Sequence, residues 1–301
     1  MQREVLGAAL ILAAGVCWGT AGVLSKLLMN MGFSPLAATA YRLVLGFALM
    51  TPIILARRKL RTGISRLAAA ALVVAGVWGT GLGVLSYFMA VKLTSAQIAV
   101  ILLYTAPFFA AGLGRVFLGE KITRVKVFAA MIAFLGCFLV AKGYSPAGMQ
   151  LLLPGVLIGV FSGLSYAVYT VCGRVVLREL DSLSMAYWTI GLGAIPLVAA
   201  GLATGGFQGP ICFESMMLIL ALALIPTVGA FTLFSSGLKY VEASRASILS
   251  SVEVVSAIVL AFIILGERLE LLQCVGGAAV LAAVIVLQSS SMRREGSKDV
   301  V

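Results

Sequence analysis

Ten apolar runs, each close to the length of a membrane crossing, follow one another along the chain with short polar breaks between them. They cover residues 5–28, 35–56, 67–91, 96–118, 125–141, 152–176, 183–203, 215–237, 246–265 and 271–288. A helix needs about 20 apolar residues to cross the hydrocarbon core, so the pattern predicts an all-α integral membrane protein of ten transmembrane helices. The most polar connections are 57–66, 143–151 and 204–214, and a charged tail occupies 289–301. The first run follows Arg3, is too long for the apolar stretch of a signal peptide and lacks a cleavage pattern, so it is expected to stay as a helix.

The runs repeat. Residues 92–121 and 239–268 align without a gap at an offset of 147, and ten of the thirty positions are identical. Both stretches end alike, in Leu118-Gly119-Glu120-Lys121 and Leu265-Gly266-Glu267-Arg268. Thr80 matches Thr227 at the same offset; Gly7, Gly15, Trp18 and Lys26 match Gly155, Gly163, Tyr166 and Arg174 at 148. The chain therefore reads as two copies of five helices, 5–142 and 152–288, followed by the tail. An odd helix number makes the copies enter from opposite faces, which is the inverted-repeat design of secondary transporters, with the substrate site near the midplane.

Composition agrees with a membrane chain. Of the 301 residues 61% are hydrophobic and 11% charged, and mean hydropathy is +1.12, against about 45–50% apolar and about 25% charged in soluble domains. The net charge of +11 sits at helix ends and does not point to nucleic acid. With residue 1 in the cytoplasm, seventeen of the 22 Lys and Arg residues fall on that side and four (Lys26, Lys92, Lys142, Arg268) on the other. That bias predicts that both termini, and the tail, are cytoplasmic; the membrane is expected to be the plasma membrane of a bacterium or archaeon.

The absence of histidine excludes Ser-His-Asp and Cys-His catalysis and zinc sites that need His. The five cysteines have no Cys-x-x-Cys spacing. Gly79, Gly81 and Gly83 lie in a membrane helix rather than after a strand, so they form no phosphate loop. No enzyme activity, metal or cofactor is expected. An intramembrane enzyme would need a clustered catalytic set, and a scaffold would not need a duplication.

Two five-helix halves, an early Trp18-Gly19 and the matched Leu-Gly-Glu-Lys/Arg ends resemble the EamA-type members of the drug/metabolite transporter superfamily, over about residues 5 to 288. The resemblance implies a secondary carrier with a central cavity, often an exporter of amino acids or other small metabolites. Uptake or exchange of a nutrient or vitamin, and multidrug export, are the alternatives it leaves open. One departure is that Tyr41-Arg42 faces only Thr189-Ile190 in the second copy. Partners would be the lipid bilayer, a small-molecule substrate and, as coupling ion, the proton.

Glu253 stands in the second copy where the first has Ala106. An intramembrane carboxylate is a functional candidate by default, here as a proton or cation site or as a packing residue. Arg42 has three readings: a fork for a substrate carboxylate, an ion pair with Glu253, or a chain reaching for the outer face. Trp18, Thr80, Tyr87, Tyr104, Tyr166, Tyr169 and Thr227 are candidate cavity residues because they lie inside helices. Glu120 with Lys121, and Glu267 with Arg268, are expected to form helix-end or gate salt bridges.

Overall fold

The computed structural model describes residues 2–57, 63–93, 96–140, 142–144, 153–265 and 270–296. These residues are helical apart from turns and short connections. In chain order the helices are α1 (Gln2–Asn30), α2 (Pro35–Ala56), α3 (Arg66–Val73, Val74–Leu82 and Gly83–Leu93), α4 (Ala96–Leu103 and Ala106–Leu118) and α5 (Arg124–Val140). They continue with α6 (Leu153–Val176), α7 (Ser182–Thr204), α8 (Phe213–Ala223, Leu224–Gly229 and Ala230–Leu238), α9 (Ala243–Leu249 and Val252–Leu265) and α10 (Leu271–Gly296). Among the described residues nine helical stretches are long and apolar enough to cross a membrane. Helix α5, with 17 residues, is the short one, about 25 Å at 1.5 Å per residue. Helix α10 runs on through 289–296, so the expected tail begins as a continuation of that helix.

Local chemistry starts the helices where the apolar runs begin. The Ser34 hydroxyl accepts from Ala37 N ahead of Pro35, and the Asp181 carboxylate accepts from Leu183 N and Ser184 N. These are N-cap bonds, which satisfy donors that a helix leaves open. Ser65 caps α3 in the same way and Cys212 starts α8. Ser34 and Asp181, and Ser65 and Cys212, are each 147 positions apart, so the helix starts repeat with the register of the sequence. Outside the spans, Ser65 also donates its N–H (2.6 Å) and its hydroxyl (2.5 Å) to Glu179. Those bonds hold the Glu179 carboxyl below its ordinary range. The link is therefore complete above that ordinary range and fades as pH falls through the lowered value.

The interior irregularities repeat too. Helix α3 is π-helical over Val74–Leu82, and α8 over Leu224–Gly229. In each a threonine hydroxyl bonds the carbonyl five residues back, Thr80 to Ala75 at 3.3 Å and Thr227 to Leu222 at 2.8 Å. Such bulges recur at functional sites. Helices α4 and α9, expected as continuous rods, are each broken: α4 at Tyr104-Thr105, just before Pro107, and α9 at Ser250-Ser251. Proline removes a backbone donor and clashes with the preceding turn. Ser250 and Ser251 donate to the carbonyls three residues back in their own helix, a competition that weakens the helical ladder.

Packing exchanges the halves. Helix α1 lies on α8 and α9, whereas α6 lies on α3 and α4; α2 pairs with α7 and α5 with α10. The α5–α10 pair is held by backbone approach: a Cβ on Gly276 would sit 2.7 Å from Gly136 O and 2.8 Å from Val140 N. Small residues allow such contact where lipid gives helices no hydrophobic drive to associate. Gly276→Ala is expected to cost about 1–3 kcal/mol through overpacking. A lower melting temperature in detergent is the readout, and an unchanged one would show that the pair can separate freely.

Candidate functional site

A cavity of about 530 Å³ runs up the middle of the bundle. From α1 it takes Trp18, Ser25, Lys26 and Met29, all in the second part of that helix. From α3 it takes Gly79, Gly83, Tyr87 and Phe88, from α4 Tyr104, and from α5 and α10 the end residues Val140 and Gln273. The void thus reaches from mid-bundle to the end where α1 finishes, called here the upper end. Both halves of the chain line it, since α6 adds Ser162, Tyr166 and Tyr169, α8 Phe231, and α9 Glu253 and Ala257.

The two helix breaks meet at the cavity wall. Tyr104, in the break of α4, donates its phenolic proton toward Glu253 Oε2 (3.0 Å) and lies 3.4 Å from Ser250 O. Tyr166 donates to Ser250 Oγ at 2.8 Å. Because α9 restarts at Val252, Glu253 stands in the first turn of a new helix rather than in the middle of a long one. The helix dipole favours negative charge at that position. Ala243, Ala246, Ser250, Glu253 and Ala257 follow one another at helical spacing, but the same break keeps them from forming one continuous face.

Arg42 is 4% exposed. Its Nε donates to Thr227 Oγ1 at 3.1 Å, so the π-helical bulge of α8 orients the guanidinium of α2. No ion pair within 4.0 Å joins Arg42 to Glu253 among the described residues. The internal-pair reading of Arg42 is not realised in this conformation, and its burial beside the cavity removes the reading in which it reaches for the outer face.

Below the cavity the aromatic rings close ranks. Trp18 stands 5.9 Å from Tyr166, 5.5 Å from Phe231 and 5.1 Å from Phe234, with centroids in tilted or edge-on contact. Tyr169 stands 5.5 Å from Phe231. Such geometry adds to the burial of the rings themselves. Phe231 and Phe234 are floor residues that sequence reading missed, since nothing distinguishes them from other apolar positions.

Beneath this floor, at the lower end where α1 starts, polar groups tie the halves together. Glu120 is 8% exposed. Its carboxylate accepts from Ala243 N (2.6 Å), Ser244 N (3.2 Å) and Ser244 Oγ (2.6 Å), capping the first part of α9. Gly119 takes a left-handed turn (φ 68°) that ends α4. Both its N–H and that of Glu120 bond Gly114 O. At Gly114 a Cβ would lie 2.9 Å from Glu120 Oε2, so the glycines of this segment make room for the carboxylate. The expected pairing with Lys121 is corrected: Lys121 is exposed, and the base beside Glu120 is buried Lys126, 4.0 Å away. Lys126 also reaches Glu242 at 2.6 Å. Arg245 pairs with Glu4, and Arg174 donates to Leu238 O and Lys239 O. At the upper end, Glu270 accepts from Lys142 and Tyr144, each at 2.7 Å. Those bonds hold its carboxyl below the usual range.

Trp18, Arg42, Tyr87, Tyr104, Tyr166, Tyr169 and Glu253 therefore share one cavity. Thr80 stays inside α3, away from it, and Thr227 acts behind Arg42. Glu267 and Arg268 lie outside the described residues. No group of three or more potential metal ligands occurs among those described.

The EamA-like transporter family model matches residues 5–142 and again 153–288. The chain is 31% identical to an "Uncharacterized transporter" of Archaeoglobus fulgidus, covering 93% of this chain and 95% of that protein. It is 23% identical to the "Uncharacterized inner membrane transporter YicL" of Salmonella typhimurium, covering 94% and 95%. A solved structure described as "Crystal structure of protein" superposes with a TM-score of 0.79 over 96% of this chain and 98% of that one. At 20% identity that likeness bears on the fold alone.

Proposed function

We propose, from the premise that this chain belongs to the EamA-like transporter family, that it is a secondary carrier working by alternating access. In this reading it exports amino acids or related small metabolites across the cell membrane. Ten crossings form two inverted repeats, 5–142 and 152–288, with both termini in the cytoplasm. The single supporting observation is the one-sided cavity. It is lined by both halves, reaches the upper end, and is shut below by an aromatic floor and a polar latch. With the lower end cytoplasmic, this is an outward-facing carrier. Transport needs the latch to open and the upper end to close around the same site, and the exchanged packing of α1 on α8–α9 and α6 on α3–α4 offers two equivalent surfaces for that rocking.

The test is counterflow. Purified protein in liposomes, loaded with single amino acids, is expected to release at least one of them faster than protein-free liposomes, and faster still with the same compound outside. A cysteine placed at Val254 in a cysteine-free background should react with impermeant reagents from either side during turnover. Labelling from one side only, with no flux of any compound, would sink the carrier reading.

A further inference from the structure

We propose that Arg42 is the anion-binding group of this cavity and that the substrate is a carboxylate joined to an aromatic or branched apolar body. This rests on the carrier reading above and adds to it which end of the substrate is recognised, and by which atoms.

The guanidinium is buried at 4% exposure yet incompletely satisfied. Thr227 donates its own hydroxyl proton to Leu222 O at 2.8 Å, so toward Arg42 its oxygen can only accept, from Nε at 3.1 Å. That contact fixes the plane and leaves Nη1 and Nη2 without an acceptor among the described residues. Neither is among the buried polar atoms sealed off without a partner, and Arg42 lines the cavity, so its open donors face the void. A buried charge with two unmet donors is costly, and a carboxylate answers both in the paired geometry that guanidinium favours.

The charges around the void point the same way. Among the described residues Arg42 and Glu253 are the charged side chains in the depth of it, and Lys26 lines it nearer the upper end. Glu253 Oε2 already holds the Tyr104 proton at 3.0 Å, whereas both Nη donors of Arg42 are open toward the same void. The walls beside these charges are Trp18, Tyr87, Phe88 and Tyr166, which suit a flat or branched apolar body. Thr227 is thus a positioning residue, acting on the ligand through Arg42.

Four matched probes decide the matter: 3-phenylpropionate, phenylalanine, phenethylamine and 3-phenylpropanamide, titrated onto the detergent-purified full chain. The two carboxylates are expected to bind, with the amine and the amide roughly 30-fold weaker or more. Arg42→Gln should bring the carboxylates down to the amide. Thr227→Val should weaken them about tenfold, as loss of one orienting hydrogen bond implies, and leave the amide unchanged; a merely structural role would lower all four together. Phenethylamine binding as tightly as the carboxylates overturns the proposal, and so does failure of both carboxylates to bind wild-type protein. Both results need no variant and are independent of folding. Carboxylate binding without flux would keep this inference and remove the carrier reading. Flux confined to cations would do the reverse.

Discussion

Proton-driven transport is expected to disappear entirely in Glu253→Gln, while exchange of substrate between the two faces continues. Among the described residues Glu253 is the one carboxylate that lines the cavity. It has no base within 4.0 Å among those residues, and the group holding it is the phenol of Tyr104 at 3.0 Å. It can therefore gain or lose a proton without breaking an ion pair. Its place in the first turn after the α9 break matters as well. The ionised form is met by the positive end of the helix dipole, and the protonated form is an uncharged side chain in a largely apolar wall. Both states are accommodated, which is what a coupling site requires. Glutamine copies the shape and the hydrogen bond from Tyr104 but not the titration.

The measurement is flux into liposomes under an imposed pH gradient, set against counterflow at equal pH. Loss of the first with retention of the second identifies Glu253 as the coupling site. Wild-type gradient-driven flux, with wild-type pH dependence, would falsify that role and return Glu253 to a packing function. Loss of both activities in a folded protein would place the carboxylate in substrate binding instead.

Much of this arrangement was legible beforehand, for physical reasons that can be named. Lipid demands long apolar helices, so hydropathy alone located the rods. The 147-residue offset carried the pairing of Thr80 with Thr227, which the structure shows as two equivalent π-helical bulges. Glu253 and Arg42 stood out because charge inside a membrane segment is costly and rarely tolerated without a role. The breaks were harder to see. Pro107 marks one, but Ser250-Ser251 reads in sequence as ordinary small residues within a hydrophobic run. The floor residues Phe231 and Phe234 are apolar among apolar neighbours. Lys126 and Arg245 were legible only as charges that set orientation, because their pairing, with Glu242 and Glu4, depends on which helix ends meet, and periodicity does not encode that.

Opening of the lower end is expected to become easier by about 2–4 kcal/mol in Glu120→Ala, the summed loss of a helix cap and of a buried, hydrogen-bonded charge. That corresponds to a shift of roughly 30- to 1000-fold in the balance between the two faces. The estimate follows from what Glu120 touches. Three donors at the start of α9 converge on it, and the Lys126 ammonium stands 4.0 Å away. Removing the carboxylate leaves two backbone N–H groups open and a buried lysine with less compensation. The whole effect falls on the closed state, because the bonds join α4 of the first half to α9 of the second. Glu120→Gln keeps one acceptor and should fall between the two. In the Val254 cysteine background, labelling of unliganded protein from the lower side should rise accordingly, and labelling from the upper side should fall. Overall unfolding would slow both or accelerate both, so the opposite signs separate gating from damage. If Glu120→Ala labels like the parent and melts at the same temperature, the cap contributes nothing to closure, and the aromatic floor around Trp18 alone holds the lower end shut.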